Sequence, residues 1–316
     1  MRALVLAAGL GTRLQPLTLV RAKAAAPVDG EPLVCRTIRW LVSHGITDLV
    51  VNLHHKPETI AAAVGDGSDL GARVRYSWES PVLGSAGGPR HALPLLLDDG
   101  GSPTPRTGER GTCVLVNGDT LTTVDLPAMI DQHRRSGADV TMALIPNPRP
   151  DKYGGVVVDE RGAVTGFTRR GGGGLHFVGP QVIEAGAFLP LEDGVPSETV
   201  LDLYPKLIAA RRGSVMGFVS DATFHDIGTP ADLLETSLAL AAADGRVDRP
   251  RWGRGVRVAA SARVSRSVLW DNVTVEDGAA VDECVVADNV TIAAGARYHR
   301  SAIVRTGDTL VVQPLA

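Results

Sequence analysis

Aromatic residues are scarce: Phe, Tyr and Trp together make up 4% of the 316 residues. A core so poor in rings must be filled by Val, Leu, Ile and Ala. That suits a helix-covered, Val- and Leu-rich sheet, or a repetitive stack of small β-branched side chains. Cysteine is scarcer still. Cys35, Cys113 and Cys284 are odd in number, far apart and without histidines at metal spacing, which excludes a disulfide framework and a zinc ribbon and leaves three buried free thiols as the expectation. An excess of one charge is missing too: 32 Lys and Arg stand against 35 Asp and Glu, a net charge of −3, with no block of five or six like charges. Neither a nucleic-acid arm nor a polybasic membrane anchor is expected. No stretch of about 18 apolar residues is there to cross a membrane. The apolar opening at residues 2–8 dissolves into Gly9-Leu10-Gly11 too soon for a signal peptide, so a cytoplasmic protein is expected.

What the chain has is glycine, 36 residues of it, and alternation. A length of 316 residues is more than one ordinary core needs, so two parts are expected. Residues 2–8 read as a strand buried on both faces, and a long loop follows to about Gly30. Residues 32–44 carry Leu33, Val34, Ile38, Leu41 and Val42 at helical spacing, with Gly45 as the residue that ends the helix. Residues 48–53, 73–78 and 112–116 read as strands, and 57–64 and 87–97 as helices. Such alternation predicts a Rossmann-like, three-layer α/β fold with a mostly parallel sheet, its ligands in the loops beyond the carboxyl ends of the strands. Residues 98–111 have the composition of a mobile surface loop. Around 159–162 the pattern becomes a hairpin, which adds antiparallel strands. Thr229-Pro230-Ala231-Asp232 opens a last helix, running to about Ala243, with Thr as N-cap and Pro at the first helical position.

After Gly245 the period changes. Val268-Leu269-Trp270-Asp271-Asn272-Val273-Thr274-Val275 aligns with Val285-Val286-Ala287-Asp288-Asn289-Val290-Thr291-Ile292 at an offset of 17. Val256 and Val258 align with Val273 and Val275 at the same offset. Val and Ile stations about six residues apart are the signature of a β-helix, whose coils leave little room for a ring; a small β-sandwich is the alternative. The stretch resembles the left-handed hexapeptide-repeat β-helix family, at a little over three coils. The expected domains are therefore 1–245 and 246–316. Open coil ends expose backbone that a partner commonly covers, which predicts a homo-oligomer formed through the tail.

The chemistry gathers in the first loop. Ala7-Ala8-Gly9-Leu10-Gly11-Thr12-Arg13 and then Arg21-Ala22-Lys23 put two glycines and the cations Arg13 and Lys23 just past a strand. Glycines let backbone N–H groups approach phosphate oxygens, and fixed cations suit a transferring phosphoryl group. The loop lacks the third glycine of a dinucleotide fingerprint and the Gly-Lys-Ser/Thr of a Walker loop. In isolation it also suits a surface turn with two solvated cations.

The loop resembles the signature of the sugar nucleotidyltransferases, the nucleoside-diphosphate-sugar pyrophosphorylases. Leu83-Gly84-Ser85-Ala86-Gly87-Gly88 looks like that family's nucleobase turn. Asn117-Gly118-Asp119 looks like its metal-binding strand end, and Phe224-His225-Asp226-Ile227-Gly228 like its second metal-binding turn. The resemblance covers about residues 1–240. It implies that Ala7, Ala8, Gly9, Gly11 and Thr12 bind the triphosphate, and that Arg13 and Lys23 act at the reacting phosphates. Gly84, Ser85, Ala86 and Gly87 would take the base. Asn117, Gly118, Gly155, Arg170 and Gly179 would take the sugar phosphate, and Asp119 and Asp226 would hold Mg²⁺. Where the family has Pro-Lys-Pro this chain has Ala22-Lys23-Ala24, and where it has Glu-Lys-Pro this chain has Arg169-Arg170-Gly171, with Gly171–Gly174 read as a flexible rim.

The implied substrates are a nucleoside triphosphate and a sugar 1-phosphate, with GTP and mannose 1-phosphate favoured by the base turn. Thymidylyl or uridylyl transfer to glucose 1-phosphate or an amino-sugar phosphate is the second reading, and a non-catalytic regulatory subunit the third. Four outlying residues receive bland readings. His54-His55 reads as a solvated strand end, since neighbours on an extended chain face opposite ways. Trp40 reads as core packing, and His299 in the tail as unconnected with acyl transfer.

Overall fold

A computed structural model describes residues 1–97 and 111–315. The loop read at residues 98–111 lies outside the described residues, Gly111 excepted. Two compact units make up the chain: Met1–Gly9, Thr37–His54 and Val64–Phe224 form one, and Leu10–Arg36, His55–Ala63 and His225–Ala316 the other.

The first unit is built on nine strands: β1 Arg2–Leu6, β2 Asp48–Leu53, β3 Arg73–Trp78, β4 Thr112–Asn117, β5 Val140–Pro146, β6 Gly155–Val158, β7 Val164–Thr168, β8 Leu175–Glu184 and β9 Val215–Val219. β1 lies parallel between β2 and β4, and β3 is parallel to β2. Past β4 the sheet turns antiparallel through β8, which pairs with β4, β5 and β6; β7 closes the hairpin on β6, and β9 runs parallel to β5. The parallel part follows from its residues. Ala3, Leu4 and Val5, Leu49, Val50 and Val51, and Val114, Leu115 and Val116 are unbroken apolar runs buried to 2% exposure or less, as strands covered on both faces must be.

Pattern alone singles out nothing in residues 120–152. There the chain forms the helix Leu126–Ser136, opened by Asp125 accepting the Ala128 N–H and closed at Gly137 with φ 63°, and then β5. The helix Gly84–Leu97 begins three residues earlier than the spacing predicts, so the expected base turn is its first turn. Trp40 is no core residue: it is half-buried, edge-on to His44 at 5.2 Å between ring centroids. Cys35, Cys113 and Cys284 are free and buried.

In the second unit the long loop is wound rather than open. It forms the 3₁₀ turns Thr12–Leu14, Leu17–Leu19 and Lys23–Ala25, then the short pair Pro27–Val28 and Glu31–Pro32. Asp29 in that pair is 1% exposed. Arg246 donates to both of its carboxylate oxygens at 2.9 and 2.6 Å, and the Arg251 N–H donates at 2.7 Å. The helix Pro230–Ala243 opens with the capping box expected of it, Thr229 and Asp232 satisfying each other's backbone N–H.

From Arg257 onward three parallel sheets, one per face, carry the repeat. Arg257 pairs with Thr274 and Thr274 with Thr291; Val268 pairs with Val285 and Val285 with Ala302. Each step is the 17 residues of the sequence period. Leu269, Val273, Val275, Val281, Val286, Val290 and Ile292 fill the interior. Corners repeat as well: Asn272 and Asn289 adopt φ 58° and 59°, a region Asn tolerates better than most residues, and their side chains bond at 3.2 Å. Two aromatics depart from the expectation of coils without rings: Tyr298, in register with Val281, is half-buried and packs against the interior cluster. Trp270 is fully buried and stands apart from the interior cluster. At the last coil the chain covers its own edge on one face, Thr309–Pro314 pairing antiparallel with Ser301–Thr306.

Candidate functional site

Within the first unit the candidate residues leave from neighbouring strand ends. β1 and β4 are in register up to Leu6 and Asn117, and the Gly118 N–H donates to the Leu6 carbonyl at 2.9 Å. Ala7 and Ala8, just past β1, are buried, and their N–H groups donate to Asn52 Oδ1 at 2.5 and 3.2 Å. The Asn52 amide donates in turn to Glu79 Oε1 at 2.6 Å, and Glu79 Oε2 accepts the Leu83 N–H at 2.8 Å. Glu79 is 1% exposed. One buried chain of hydrogen bonds thus ties the residues just past β1 to the turn at Leu83. Gly88 is glycine for this reason: a Cβ there would stand 2.5 Å from Glu79 Oε1.

The turn at residues 83–88 is also held from its other side. Ser85 Oγ donates to Glu198 Oε2 at 2.5 Å, and the Ala86 and Gly87 N–H groups donate to the Ser197 carbonyl at 2.9 and 3.1 Å. Gly84 turns into the helix with φ 78°. Asp119 follows Gly118 half-buried, its Oδ1 accepting from the Thr120 hydroxyl at 3.1 Å. Gly179, in a stretch of β8 where the register with β5 shifts, lies against the Asn117 side chain. Gly155 donates to Thr168 Oγ1 at 3.0 Å. The run Gly171–Gly174 is a bonded turn rather than a loose rim: the Thr168 hydroxyl lies 3.0 and 2.8 Å from the Gly172 and Gly173 carbonyls, and the Gly171 N–H donates to the Pro150 carbonyl. Arg170, before it, is exposed.

The second unit holds the other set. Gly9, the last residue of the first unit, and Thr12 and Arg13 are exposed. Gly11 sits at φ 62°, and a Cβ on it would come within 2.8 Å of Thr18 Cγ2 and 3.0 Å of Lys23 Cβ, so the loop folds Lys23 directly against Gly11. The surroundings of Gly228 locate the far end: Arg13 Nη1, Asp232 Oδ2 and Asp226 Oδ2 would lie 3.0, 3.2 and 3.3 Å from a Cβ there. Arg13 and Asp226 are therefore neighbours. Burial lowers the His225 pKa below its ordinary value, which favours the neutral ring beside Asp226.

The two histidines after β2 diverge as expected, but neither is simply solvated. His54 Nδ1 meets the Glu79 carbonyl at 2.9 Å, and His55 Nε2 meets the Thr18 carbonyl at 3.0 Å. His299 Nδ1 meets Asp282 at 2.9 Å. Asn52, Glu79 and Glu198 escape sequence reasoning because no motif marks them. The one signal was position, Asn52 in a strand end and Glu79 at the start of a loop.

Residues 2–170 match the family model of the nucleotidyl transferases, and residues 240–309 match that of the GlmU-like C-terminal hexapeptide. The chain belongs to the nucleotidyl transferase family and carries a hexapeptide-repeat tail. Among its relatives, the mannose-1-phosphate guanylyltransferase of Mycobacterium tuberculosis is 31% identical over 241 residues, 75% of this chain and 64% of that protein. The chain thus spans a little under two thirds of that relative. The D-glycero-alpha-D-manno-heptose 1-phosphate guanylyltransferase of Aneurinibacillus thermoaerophilus is 30% identical over 240 residues, covering 73% of this chain and 95% of its own length. The crystal structure of HddC from Yersinia pseudotuberculosis shares the fold, with a TM-score of 0.61 at 22% identity over 74% of this chain and 97% of that one.

Proposed function

We propose that the chain transfers a nucleoside monophosphate from a nucleoside triphosphate to a sugar 1-phosphate and releases pyrophosphate, with GTP and mannose 1-phosphate as the first substrates to try. The hydrogen-bonded frame from Ala7 and Ala8 through Asn52 and Glu79 to Leu83 carries this reading. It joins the residues just past β1, next to β4, to the turn at Leu83, and Asp119 follows β4 by two residues. Two guanylyltransferases at 31% and 30% identity favour guanine as the base.

No nucleophilic side chain is needed. A phosphate monoester has its second pKa near about 6, so at neutral pH the sugar phosphate is already mostly a dianion, able to attack the α-phosphorus itself. The protein's task is alignment and charge screening, as in phosphoryl transfer generally. Gly9, Gly11 and Thr12 embrace the triphosphate, Arg13 screens the reacting phosphates, and Lys23 bridges both substrates. Gly84, Ser85, Ala86 and Gly87 receive the base. Asn117, Gly118, Gly155, Arg170 and Gly179 receive the sugar phosphate.

Asp119 and Asp226 fit Mg²⁺ by chemistry. Both are half-buried carboxylates, the hard oxygen donors that this cation takes. Mg²⁺ prefers one or two carboxylates and completes its shell with phosphate oxygens and water. When bound it would offset phosphate charge during transfer. Among the described residues no helix is long and apolar enough to cross a membrane. The three free thiols support a reducing, cytoplasmic setting.

The test is a matrix of five nucleoside triphosphates against several sugar 1-phosphates with Mg²⁺, scored by pyrophosphate. Thymidylyl or uridylyl transfer is the other positive outcome, and no turnover anywhere points to a regulatory subunit. Lys23→Ala and Asp119→Ala are each expected to lower kcat by about 10²–10³-fold with the circular-dichroism spectrum unchanged. Near-normal pyrophosphate release in either variant would sink the assignment.

A further inference from the structure

We propose that Arg21 is a positioning residue through which the β-helix sets the place of Lys23, resting on the reading that Lys23 serves nucleotidyl transfer. The Arg21 side chain is 17% exposed. Its Nε donates to Asp288 Oδ2 at 2.5 Å, and its Nη2 donates to Asp288 Oδ1 at 2.6 Å and to Asp271 Oδ2 at 2.8 Å. The guanidinium carbon lies 5.5 Å from the centroid of the ring of Trp270, which is fully buried.

The two acceptors are not loose surface carboxylates. They stand 17 residues apart at the same corner of successive coils, and each also holds backbone. Asp271 Oδ1 accepts the Arg254 N–H at 2.8 Å, and Asp288 Oδ1 accepts the Asp271 N–H at 3.0 Å. At the equivalent corners before and after them the sequence has Arg254 and Arg305, so only these two coils present a carboxylate there. An exposed ion pair contributes little. This one is a bidentate fork on carboxylates already locked to the coil, a geometry that a planar guanidinium satisfies and a lysine cannot. Burial on its own would lower the Arg21 pKa, but Asp288 and Asp271 outweigh it and raise it, so the charge is permanent.

What Arg21 holds is next to the chemistry. The Ala22 N–H donates to Thr59 Oγ1 at 3.0 Å, and Lys23 then begins its 3₁₀ turn with its Cβ against Gly11. Releasing Arg21 frees the residue two before Lys23 and, through that contact, the turn at Gly11. A shift of about 1 Å in a positioned group can cost about 10²-fold in rate.

The experiment uses the full chain with Arg21→Met, which keeps an apolar stem over Trp270 and removes the fork. Pyrophosphate-release kinetics are expected to show kcat down by about 10- to 100-fold, with KM for the triphosphate changing less. Amide hydrogen exchange of residues 10–28 is expected to rise while that of residues 274–304 stays at the wild-type level. Arg21→Lys is expected to recover part of kcat, and Asp271→Asn with Asp288→Asn to reproduce the loss. Unchanged exchange in residues 10–28, or a rise spread equally through the coils, would overturn the proposal. Exchange needs no substrate, so wild-type chain that transfers nothing would refute the proposed function and still leave the Arg21 linkage measurable.

Discussion

Glu79 is a carboxylate used at both oxygens by donors alone, and that makes an isostere unsuitable. Oε1 accepts from the Asn52 amide and Oε2 from the Leu83 N–H. In Glu79→Gln one of those oxygens becomes an NH₂ that faces a donor. A buried donor left without an acceptor costs roughly 1–3 kcal/mol. For a chain of this size that corresponds to a fall of about 2–4 °C in Tm per kcal/mol. The expected result is a Tm lower by several degrees, together with a raised KM for the nucleoside triphosphate, because the Ala7 and Ala8 amides and the base turn share the same frame. Calorimetry and initial rates check both, and a variant with wild-type Tm and KM would show that the frame is incidental. Nothing local marks these residues: Asn52 and Glu79 lie 27 positions apart and fall in no motif, so only the fold makes them partners.

Elements were readable from the sequence where burial leaves a regular trace. β1, β2 and β4 are buried on both faces, so their apolar runs are continuous, and the period of 17 survives because every coil must place its Val or Ile stations inward. Elements were missed where punctuation misleads. Gly179-Pro180, a pair common in turns, lies inside the ten-residue β8 at the place where the register with β5 shifts, and the pattern predicts no strand there. The helix Gly84–Leu97 contains Gly84, Gly87, Gly88, Pro89 and Pro94, poor helix formers; at the three glycines a Cβ would stand 2.7, 2.7 and 2.5 Å from a neighbouring oxygen. The parallel sheet also sets a charge row that pattern does not reveal. Asp48 at the start of β2 is in register with Arg2 of β1 and Arg73 of β3, and it is bonded to both and to Arg75. Burial by itself would raise the Asp48 pKa, but Arg2, Arg73 and Arg75 outweigh it and hold it below the ordinary carboxylate value. A depressed folded-state pKa gives stability that is present above the unfolded value, near about 3.9, and lost as pH falls through the folded one. Asp48→Asn is therefore expected to lower stability at pH 7 and to converge with the wild type toward pH 2 in urea titrations. An equal difference at both pH values would contradict the linkage.

The repeat shares one compact unit with the loop that follows β1: Leu10–Arg36 and His225–Ala316 both belong to it. Asp29, four residues before the helix Leu33–Ser43, is buried, and its carboxylate is held by Arg246 and by the Arg251 N–H, both beyond Gly245. Arg36 remains as a weaker neighbour at 3.9 Å. A chain ending at Gly245 keeps Arg13, Lys23, Asp119 and Asp226 but takes away both donors that hold the Asp29 carboxylate from beyond that point. The expected outcome is a truncated chain that is poorly soluble or lacks protection in residues 10–36, and that does not release pyrophosphate. Asp29→Asn in the same truncation should recover solubility, since it removes the charge that lost its partners. Self-association through the coils is a separate proposal, read on the full chain by light scattering. A mass above that of one chain is expected there, and a single-chain mass would contradict it. A soluble 1–245 fragment with normal turnover would instead show that the loop holds its shape without the repeat, and the interdependence argued from Asp29 would fail.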